Sequence, residues 1–156
     1  MASPETVTTN SEQETFALAE QVAATLQPGT FVLLHGDLGA GKTAFVRGLA
    51  AGLGANPDDV SSPTFVLIQH YKGRTPLVHV DLYRLESRTA VDDLGLEELA
   101  NGAVVAIEWA ERLPRPLEGS VTVKIDDLGN NSRRITIERG TRTRNWNEEP
   151  GTYSDL

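Results

Sequence analysis

The sequence contains no cysteine, few aromatic residues and no excess of basic residues. The absence of cysteine excludes disulfides, thiolate metal ligands and a thiol nucleophile. With 14 Lys and Arg against 22 Asp and Glu, the formal net charge is −8. Proteins that hold nucleic acid unaided usually present a basic face, which this composition does not predict. We therefore expect neither DNA nor membrane as a ligand, and we expect a partner to hold any nucleic acid that enters the function.

Long hydrophobic runs are also missing. No apolar stretch approaches the roughly 20 residues that a membrane-spanning helix needs. The first residues are polar and lack a basic region followed by an apolar one, so we expect no secretory signal and a cytoplasmic location. The length of 156 residues, with 39% hydrophobic and 23% charged residues, predicts one soluble domain with a substantial core.

One motif stands out against this ordinary composition. The pattern G-x-x-x-x-G-K-[ST] is matched by the residues Gly36, Asp37, Leu38, Gly39, Ala40, Gly41, Lys42 and Thr43. A short apolar run, 31–34, precedes the motif, and apolar residues at helical spacing follow it. Strand, glycine loop and helix is the setting in which this pattern binds a triphosphate.

The residue types explain the chemistry of this loop. Glycines allow successive backbone N–H groups to point at an anion, and the positive end of the following helix adds to the attraction. Lys42 supplies a cation for the β- and γ-phosphates, and the Thr43 hydroxyl is a ligand for Mg²⁺. No Asn-Lys-x-Asp pattern is present to recognise guanine, which argues against a GTPase.

The remaining patterns predict alternating helices and strands. A capping box at 11–14 opens a helix that should end at Pro28-Gly29. Leucines between residues 86 and 101 indicate one or two short helices, and the apolar run 103–107 indicates a strand buried on both faces. Two hairpins are predicted; their paired runs are 64–71 with 77–83, and 120–125 with 133–138.

These elements predict a single-domain α/β P-loop NTPase fold with three layers. The sheet should mix parallel and antiparallel strands and carry flanking helices. We assign this domain to residues 1–139. Residues 140–156 are polar and nearly devoid of aliphatic side chains, so they are predicted to form a mobile C-terminal tail.

Two acidic residues are candidates to complete the phosphate site. Glu108 ends the apolar strand 104–107, at the edge of the sheet where crevices form, and is predicted to coordinate Mg²⁺ directly or through water. The alternative is a solvated acid that ends a strand. Asp81 shares a strand face with His79 and Tyr83, and it is suited to position the attacking water or a metal-bound one. The alternative is a hydrogen-bonded cluster on the strand, in which His79 is structural.

Three further features allow two interpretations each. Ser62-Pro63-Thr64 follows the phosphate-loop helix, where nucleotide switches place a sensing loop, but it is also ordinary turn chemistry. Trp109 is suited either to core packing or to anchoring a partner. Arg133 and Arg134 either contact phosphate or adenine, or end a solvated strand.

Taken together, the motifs resemble the TsaE family (formerly YjeE), small P-loop ATPases of tRNA threonylcarbamoyladenosine synthesis. The resemblance covers roughly residues 11–138 and depends on four motifs in the same order and spacing. They are the phosphate loop 36–43, Ser62-Pro63-Thr64-Phe65, His79-Val80-Asp81-Leu82-Tyr83-Arg84 and Glu108-Trp109. It implies that the chain binds ATP or ADP with Mg²⁺ and hydrolyses ATP weakly alone and faster with partners resembling TsaD and TsaB.

The resemblance also implies residue roles. Lys42 and Thr43 would hold phosphate and metal, Glu108 would ligate Mg²⁺, and Asp81 would be needed for hydrolysis. Glu12, near the start of the first helix, and Arg134, in the last hairpin, would lie beside the nucleotide. Nothing carries over to the residues after Gly140.

Two other functions compete with an ATPase subunit. A P-loop small-molecule kinase would use the same loop, with an acceptor pocket and an arginine-bearing lid, for which the arginines between residues 133 and 144 are the candidates. A module that binds nucleotide without hydrolysing it is the other alternative. A small-molecule kinase would transfer phosphate to a metabolite, whereas an ATPase would release it to water, so an assay of both products distinguishes them.

Overall fold

The chain folds around a sheet whose middle strands are parallel and whose outer strands are antiparallel. The computed structural model describes residues 4–36, 41–60, 68–83, 90–91, 94–114 and 117–140. The strands are β1 (Glu5–Thr9), β2 (Phe31–His35), β3 (Ile68–Tyr71), β4 (Leu77–Asp81), β5 (Val104–Glu108), β6 (Val121–Gly129) and β7 (Ser132–Arg139). The α-helices are α1 (Glu12–Ala23), α2 (Lys42–Gly52) and α3 (Leu96–Leu99), and short 3-10 turns cover Pro57–Asp59 and Ala110–Arg112.

The strand order is β1-β7-β6-β2-β5-β4-β3. Both predicted hairpins are confirmed, because β3 pairs antiparallel with β4 and β6 with β7. Asn130 and Asn131 close the second hairpin with positive φ angles of 54° and 67°, as a tight primed turn requires. Each hairpin gives one strand to the parallel centre, since β4 is parallel to β5 and β6 is parallel to β2.

Two hydrophobic clusters lie on the two faces of the sheet, which confirms the predicted three layers. On one face α1 and α2 cover the even-numbered residues of β2, such as Val32 and Leu34. On the other face α3 and the adjoining turns cover Phe31 and Leu33. The strand predicted to be buried on both faces is β5, whose five residues are all buried.

Glycines allow α1 and α2 to pack closely together. A Cβ added to Gly48 would lie 2.3 Å from the carbonyl oxygen of Phe16 and 2.6 Å from the Ala19 Cβ. A Cβ on Gly52, one turn later, would lie 2.6 Å from the Ala23 Cβ. The N-terminus of α1 has the predicted cap: the Ser11 hydroxyl accepts a hydrogen bond from the Glu14 N–H at 3.1 Å.

The fold departs from the sequence prediction in three places. Strand β1 was not predicted; it is an edge strand that joins the sheet through β7. Helix α1 ends at Ala23, before Pro28-Gly29, and a 3-10 turn that was not predicted follows Asn56. The expectations for residues 64–67, 84–89 and 141–156 lie outside the described residues.

The carboxyl ends of β2, β4, β5 and β6 meet at one edge of the sheet, since these strands are parallel. Helix α2 begins at this edge directly after the phosphate-loop motif. In the part of the chain that the structure describes, every helix falls short of the length and hydropathy that a bilayer crossing requires.

Candidate nucleotide site

The phosphate-loop motif leads into a helix with an open N-terminus. Gly41 is the N-cap of α2, with a positive φ of 103°, and no described side chain caps the helix. The free N–H groups of the first helical turn and the helix dipole make this position favourable for an anion. Residues 37–40 of the motif lie outside the described residues.

Lys42 is the first residue of α2, and its side chain is only 6% exposed. The Nζ atom lies 3.9 Å from Oε1 of Glu108 and 4.8 Å from the centre of the Trp109 ring. The neighbouring Thr43 is partly buried. A buried ammonium group is unfavourable without a partner, and here it has a carboxylate and an aromatic face.

Glu108 lies at the end of β5, where the strand-end argument placed it. It is buried, and its Oε2 lies 2.6 Å from Nε2 of His79, a residue of β4. This separation is that of a short, charge-assisted hydrogen bond. Within the described residues, Nδ1 of His79 has no hydrogen-bond partner although it is buried.

Asp81 is aligned with Glu108 across the β4–β5 pair. One carboxylate oxygen, Oδ1, accepts a hydrogen bond from the backbone N–H of Tyr83 at 2.9 Å. Burial raises the pKa of Asp81 above its ordinary value of 3.8, and the Glu108 carboxylate raises it further. The Tyr83 hydrogen bond, His79 and Lys42 lower that pKa, but their combined effect is smaller.

Trp109 follows Glu108 and has a left-handed backbone, with φ at 61°. Its ring packs against the second hydrophobic cluster and lies 4.9 Å from the exposed Tyr83 ring, centroid to centroid. The Arg112 guanidinium lies 5.8 Å from the same ring. The ring therefore contributes to core packing, and the second interpretation of Trp109, that it anchors a partner, stays a prediction.

The last hairpin brings Arg133, rather than Arg134, to the phosphate loop. A Cβ built on Gly41 would lie 3.6 Å from Nε of Arg133, and Nη1 of Arg133 donates to Asp127 at 3.1 Å. Arg134 is exposed on the other face of β7, because adjacent strand residues point to opposite faces. A place for Arg134 beside the nucleotide stays a prediction, and of the two arginines Arg133 is the one that lies near Gly41.

Glu12 is exposed in the first turn of α1. The start of this helix meets the start of β7, where the Ser132 hydroxyl donates to Oδ1 of Asn10 at 2.8 Å. Thr9 is also aligned with Arg133. Glu12 therefore lies at the same edge of the sheet as Arg133 and Gly41.

The described residues suit a metal held jointly with phosphate better than a metal held by protein alone. Among them, no group of three or more His, Asp and Glu side chains could hold a metal ion by itself. Thr43 follows Lys42 in the first turn of α2, and Glu108 at the end of β5 lies 3.9 Å from the Lys42 ammonium. Mg²⁺ is commonly bound by one or two protein oxygens together with substrate phosphates, so the residues fit this group.

A cavity on the opposite face of the sheet does not share this chemistry. It has a volume of about 220 Å³ and is lined by residues that include Leu96, Glu97, Glu98 and Leu113. Among the described residues that line this cavity, none is a lysine, an arginine or a histidine. Two glutamates and no cation make this cavity unfavourable for phosphate.

Comparisons with known proteins agree with this geometry. The family model described as "Threonylcarbamoyl adenosine biosynthesis protein TsaE" matches residues 9–135. A protein of Treponema pallidum named "tRNA threonylcarbamoyladenosine biosynthesis protein TsaE" is 43% identical over 129 residues, covering 81% of this chain and 95% of the relative. The chain belongs to the TsaE family. A Bacillus subtilis TsaE of the same description is 42% identical over 132 residues, covering 83% of this chain and 82% of its own.

The TsaE family assignment extends to the fold. A crystal structure of Bacillus subtilis YdiB superposes with a TM-score of 0.70 at 34% identity, covering 90% of this chain and 88% of that one. The TsaE match, residues 9–135, begins at the last residue of β1 and includes every candidate site residue from Glu12 to Arg134. It ends before the region after Gly140.

Sequence reasoning left open two residues that lie in the candidate site, His79 beside Glu108 and Arg133 beside Gly41. His79 was interpreted as structural, although its place on the same strand face as Asp81 was a signal that it faces Glu108. Arg133 was considered together with Arg134, and the alternation of β7 decides between them. The Ser62-Pro63-Thr64 segment, proposed as a sensing loop, lies outside the described residues.

Proposed function

We propose that this chain binds ATP with Mg²⁺ and hydrolyses ATP as an accessory subunit for threonylcarbamoyl modification of adenosine in tRNA. The observation that carries the proposal is the buried Lys42 ammonium, held beside Glu108 at the uncapped start of α2. The relatives carry the name of a tRNA threonylcarbamoyladenosine biosynthesis protein. That name supports the proposed pathway, and the geometry around Lys42 supports the proposed binding of ATP.

Lys42 is suited to receive a phosphate. Its separation of 3.9 Å from Glu108 is longer than a hydrogen bond, so the ammonium keeps its donors available for a stronger acceptor. A polyphosphate brings more negative charge than one carboxylate. The free N–H groups of α2 would bind the same phosphates, with Gly36, Gly41 and Thr43 around them.

Glu108 and Thr43 would hold Mg²⁺ together with the phosphates. Bound Mg²⁺ supplies charge neutralisation at the phosphate oxygens. Glu108 is a suitable ligand because its carboxylate is buried and already oriented by His79. The Thr43 hydroxyl adds a neutral oxygen from the first turn of α2.

Asp81 would orient the attacking water and accept its proton. Its Oδ1 is fixed by the Tyr83 N–H, so the carboxylate has a defined direction. Because burial raises the pKa of Asp81, the carboxylate is a better proton acceptor than an exposed aspartate. Arg133 and Glu12 would lie at the side of the nucleotide away from Asp81.

Partners resembling TsaD and TsaB would bind this subunit and accelerate hydrolysis. The net charge of −8 favours tRNA contact through those partners rather than through this chain. Tyr83 is 49% exposed and stacks on Trp109 beside Lys42. An exposed aromatic at the mouth of the site is the kind of residue that anchors a partner. We place the protein in the cytoplasm on the basis of this function.

The test is phosphate release from ATP by the purified chain, alone and with the host's TsaD- and TsaB-like subunits. Lys42→Ala should abolish Mg²⁺-dependent ATP binding in calorimetry and stop phosphate release. Lys72→Ala is the matched control, because Lys72 is exposed in the β3–β4 loop at the opposite edge of the sheet.

Two outcomes would contradict the proposal. If calorimetry detects no heat from ATP or ADP at millimolar concentration in the presence of Mg²⁺, the chain is not a nucleotide-binding subunit. If phosphate is transferred to a member of a metabolite panel instead of being released to water, the chain is a small-molecule kinase.

A further inference from the structure

We propose that His79 is a positioning residue that fixes the Glu108 carboxylate for its exchange between Lys42 and a metal. Its Nε2–H holds Oε2 of Glu108, so that Oε1 is the oxygen presented to the cation side of the site. The inference rests on the proposed ATPase function, in which Glu108 is the acid on the metal side. It gives the hydrogen bond between His79 and Glu108, described above, a specific role in metal binding.

The two oxygens of Glu108 have different partners. Oε2 lies 2.6 Å from His79, whereas Oε1 lies 3.9 Å from Nζ of Lys42. The first separation is a hydrogen bond and the second is not. Glu108 is 7% exposed, and a buried carboxylate requires hydrogen bonds. Of these two contacts, His79 therefore supplies the one that satisfies and orients the carboxylate.

This difference between the two oxygens of Glu108 becomes important if Lys42 moves toward phosphate. The ion-pair partner of Oε1 is then lost, and Oε1 is left for a metal or its water. A carboxylate without a second anchor would rotate at that moment. The hydrogen bond from His79 does not depend on Lys42, so it keeps the carboxylate in place. Residues that hydrogen-bond to a metal ligand without touching the metal commonly fix the orientation of that ligand.

A purely structural role explains His79 poorly. Its side chain is 1% exposed, and Nδ1 has no hydrogen-bond partner among the described residues. Burying an unsatisfied ring nitrogen is unfavourable compared with an apolar side chain of similar size. On the β4 face that contributes Leu77 to the core, a leucine would fill the same place without that penalty. The contact with Glu108 is what the imidazole adds.

Two amide substitutions distinguish a positioning role of His79 from a purely structural one. In His79→Gln the amide nitrogen reaches about as far as Nε2 and keeps a donor for Glu108. In His79→Asn the amide nitrogen stops near the position of Nδ1 and leaves Glu108 without this donor. Both variants are neutral and polar, so they should lower the stability of the fold by similar amounts. His70→Asn is the control for the substitution itself, because His70 is exposed on β3.

The first readout needs neither nucleotide nor activity. In NMR spectra of ¹⁵N-labelled protein, the Nε2–H proton of His79 should give a slowly exchanging, downfield signal. The signal should disappear in Glu108→Gln or change greatly in position, and remain in His70→Asn. A wild-type spectrum in which His79 carries its proton on Nδ1 alone would overturn the inference, whatever the chain does with ATP.

The second readout is ATP affinity by calorimetry, with Mg²⁺ and with a chelator. For His79→Asn we expect the Mg²⁺-dependent affinity to fall about 10- to 100-fold, the usual effect of removing a group that orients a metal ligand. Affinity in chelator should change less than about twofold, and His79→Gln should recover most of the loss. Equal losses in Gln and Asn, or equal losses with and without Mg²⁺, would overturn the role. A wild-type chain that binds no ATP refutes the proposed function instead, while the NMR signal still decides whether His79 holds Glu108.

Discussion

Lys42, Glu108 and Asp81 come from three different elements and share one small region of charge. Lys42 begins α2, Glu108 ends β5 and Asp81 ends β4. The Glu108 carboxylate disfavours the ionised form of Asp81, whereas Lys42 favours it. Each residue therefore has a separate task, and single substitutions should have separable effects.

Glu108→Ala and Asp81→Ala should affect different steps. Without Glu108 the metal loses a protein ligand, so the Mg²⁺ concentration for half-maximal hydrolysis should rise about tenfold or more. Without Asp81 the water loses its proton acceptor, so the rate should fall about 10²- to 10⁴-fold with little change in ATP affinity. Calorimetry and phosphate release on the same samples measure both. Equal losses of ATP binding in the two variants would contradict these roles.

The raised pKa of Asp81 predicts a change in stability with pH. A carboxyl whose pKa is higher in the folded chain favours folding while it is protonated, and this advantage is lost as pH rises through the folded pKa. Asp81→Asn keeps the Oδ1 acceptor for Tyr83 and stays neutral. The variant should therefore have a higher melting temperature than the wild type at pH 7. The difference should vanish below pH 3.8, the ordinary pKa of the group. A gain that persists at that low pH would have another cause.

The sequence was sufficient to place residues whose position is set by a motif or by a strand end. Lys42 and Thr43 follow from the loop pattern, and Glu108 follows from the end of an apolar run. His79 was harder, because its partner is 29 positions away along the chain, and only the strand alignment brings them together. Arg133 and Arg134 differ by one position, which reverses the face of the sheet. A family resemblance that is aligned to within one residue cannot resolve that choice.

At the scale of elements, the position of the phosphate site depends on how closely α1 packs on α2. Gly48 and Gly52 are one turn apart on α2 and face the backbone and alanines of α1. The spacing leaves no room for a side chain at either position. The same two helices carry Glu12 and Lys42 at their first turns, so their separation sets the width of the site.

Gly48→Ala should destabilise the protein and weaken nucleotide binding together. Overpacking of this kind costs about 1–3 kcal/mol, and a contact of 2.3 Å to a backbone carbonyl leaves little scope for relief. The opposing gain in helix propensity is about 1 kcal/mol. Urea unfolding should therefore show a net loss of up to about 2 kcal/mol.

Gly102→Ala is the comparison for Gly48→Ala. Gly102 has a positive φ of 76° and nothing within 4 Å of its added Cβ, so its cost is backbone strain without a clash. Its ATP affinity should stay at the wild-type level. If Gly48→Ala proves as stable as the wild type, α1 moves away easily and the close packing is not a constraint.

Elements were predictable where turn chemistry or burial marked them. The hairpin at Asn130-Asn131 has residues that tolerate positive φ, and β5 is continuously apolar because both faces are covered. Strand β1 has neither signal. Four of its five residues are Glu or Thr, and only Thr9 is buried, so its place in the sheet comes from backbone pairing with β7. Such pairing leaves little trace in hydrophobic periodicity.

At the scale of the whole molecule, the two edges of the sheet bring together different elements. One edge gathers the starts of α1, α2 and β7 and the ends of β2, β4 and β5, and it carries the candidate site. The opposite edge carries the β3–β4 loop and the end of β7. This polarity follows from the parallel centre, since parallel strands place all their carboxyl ends together.

The polarity predicts that the chain after Gly140 does not contribute to nucleotide binding. Strand β7 starts at the site with Ser132 and Arg133 and runs eight residues to Arg139, about 24 Å from Ser132 for an extended strand. The Gly140 N–H is tied to the Ser120 carbonyl at 2.7 Å, so the described fold ends at the far edge. Residues 141–156 lie outside the described residues and outside the TsaE match.

A chain that stops after Gly140 should therefore bind ATP with Mg²⁺ within about twofold of the full-length protein, and its melting temperature should be nearly unchanged. Calorimetry and thermal unfolding of the two chains test this. A second truncation, after Asp126, removes Arg133 with the rest of β7 and leaves β1 and β6 without their partner, so it should fail to fold. The contrary outcome is a first truncation that loses much of its ATP affinity while its melting temperature is preserved. In that case the last sixteen residues reach the site from the opposite edge of the sheet, and the polarity of the sheet does not determine which residues contact the nucleotide.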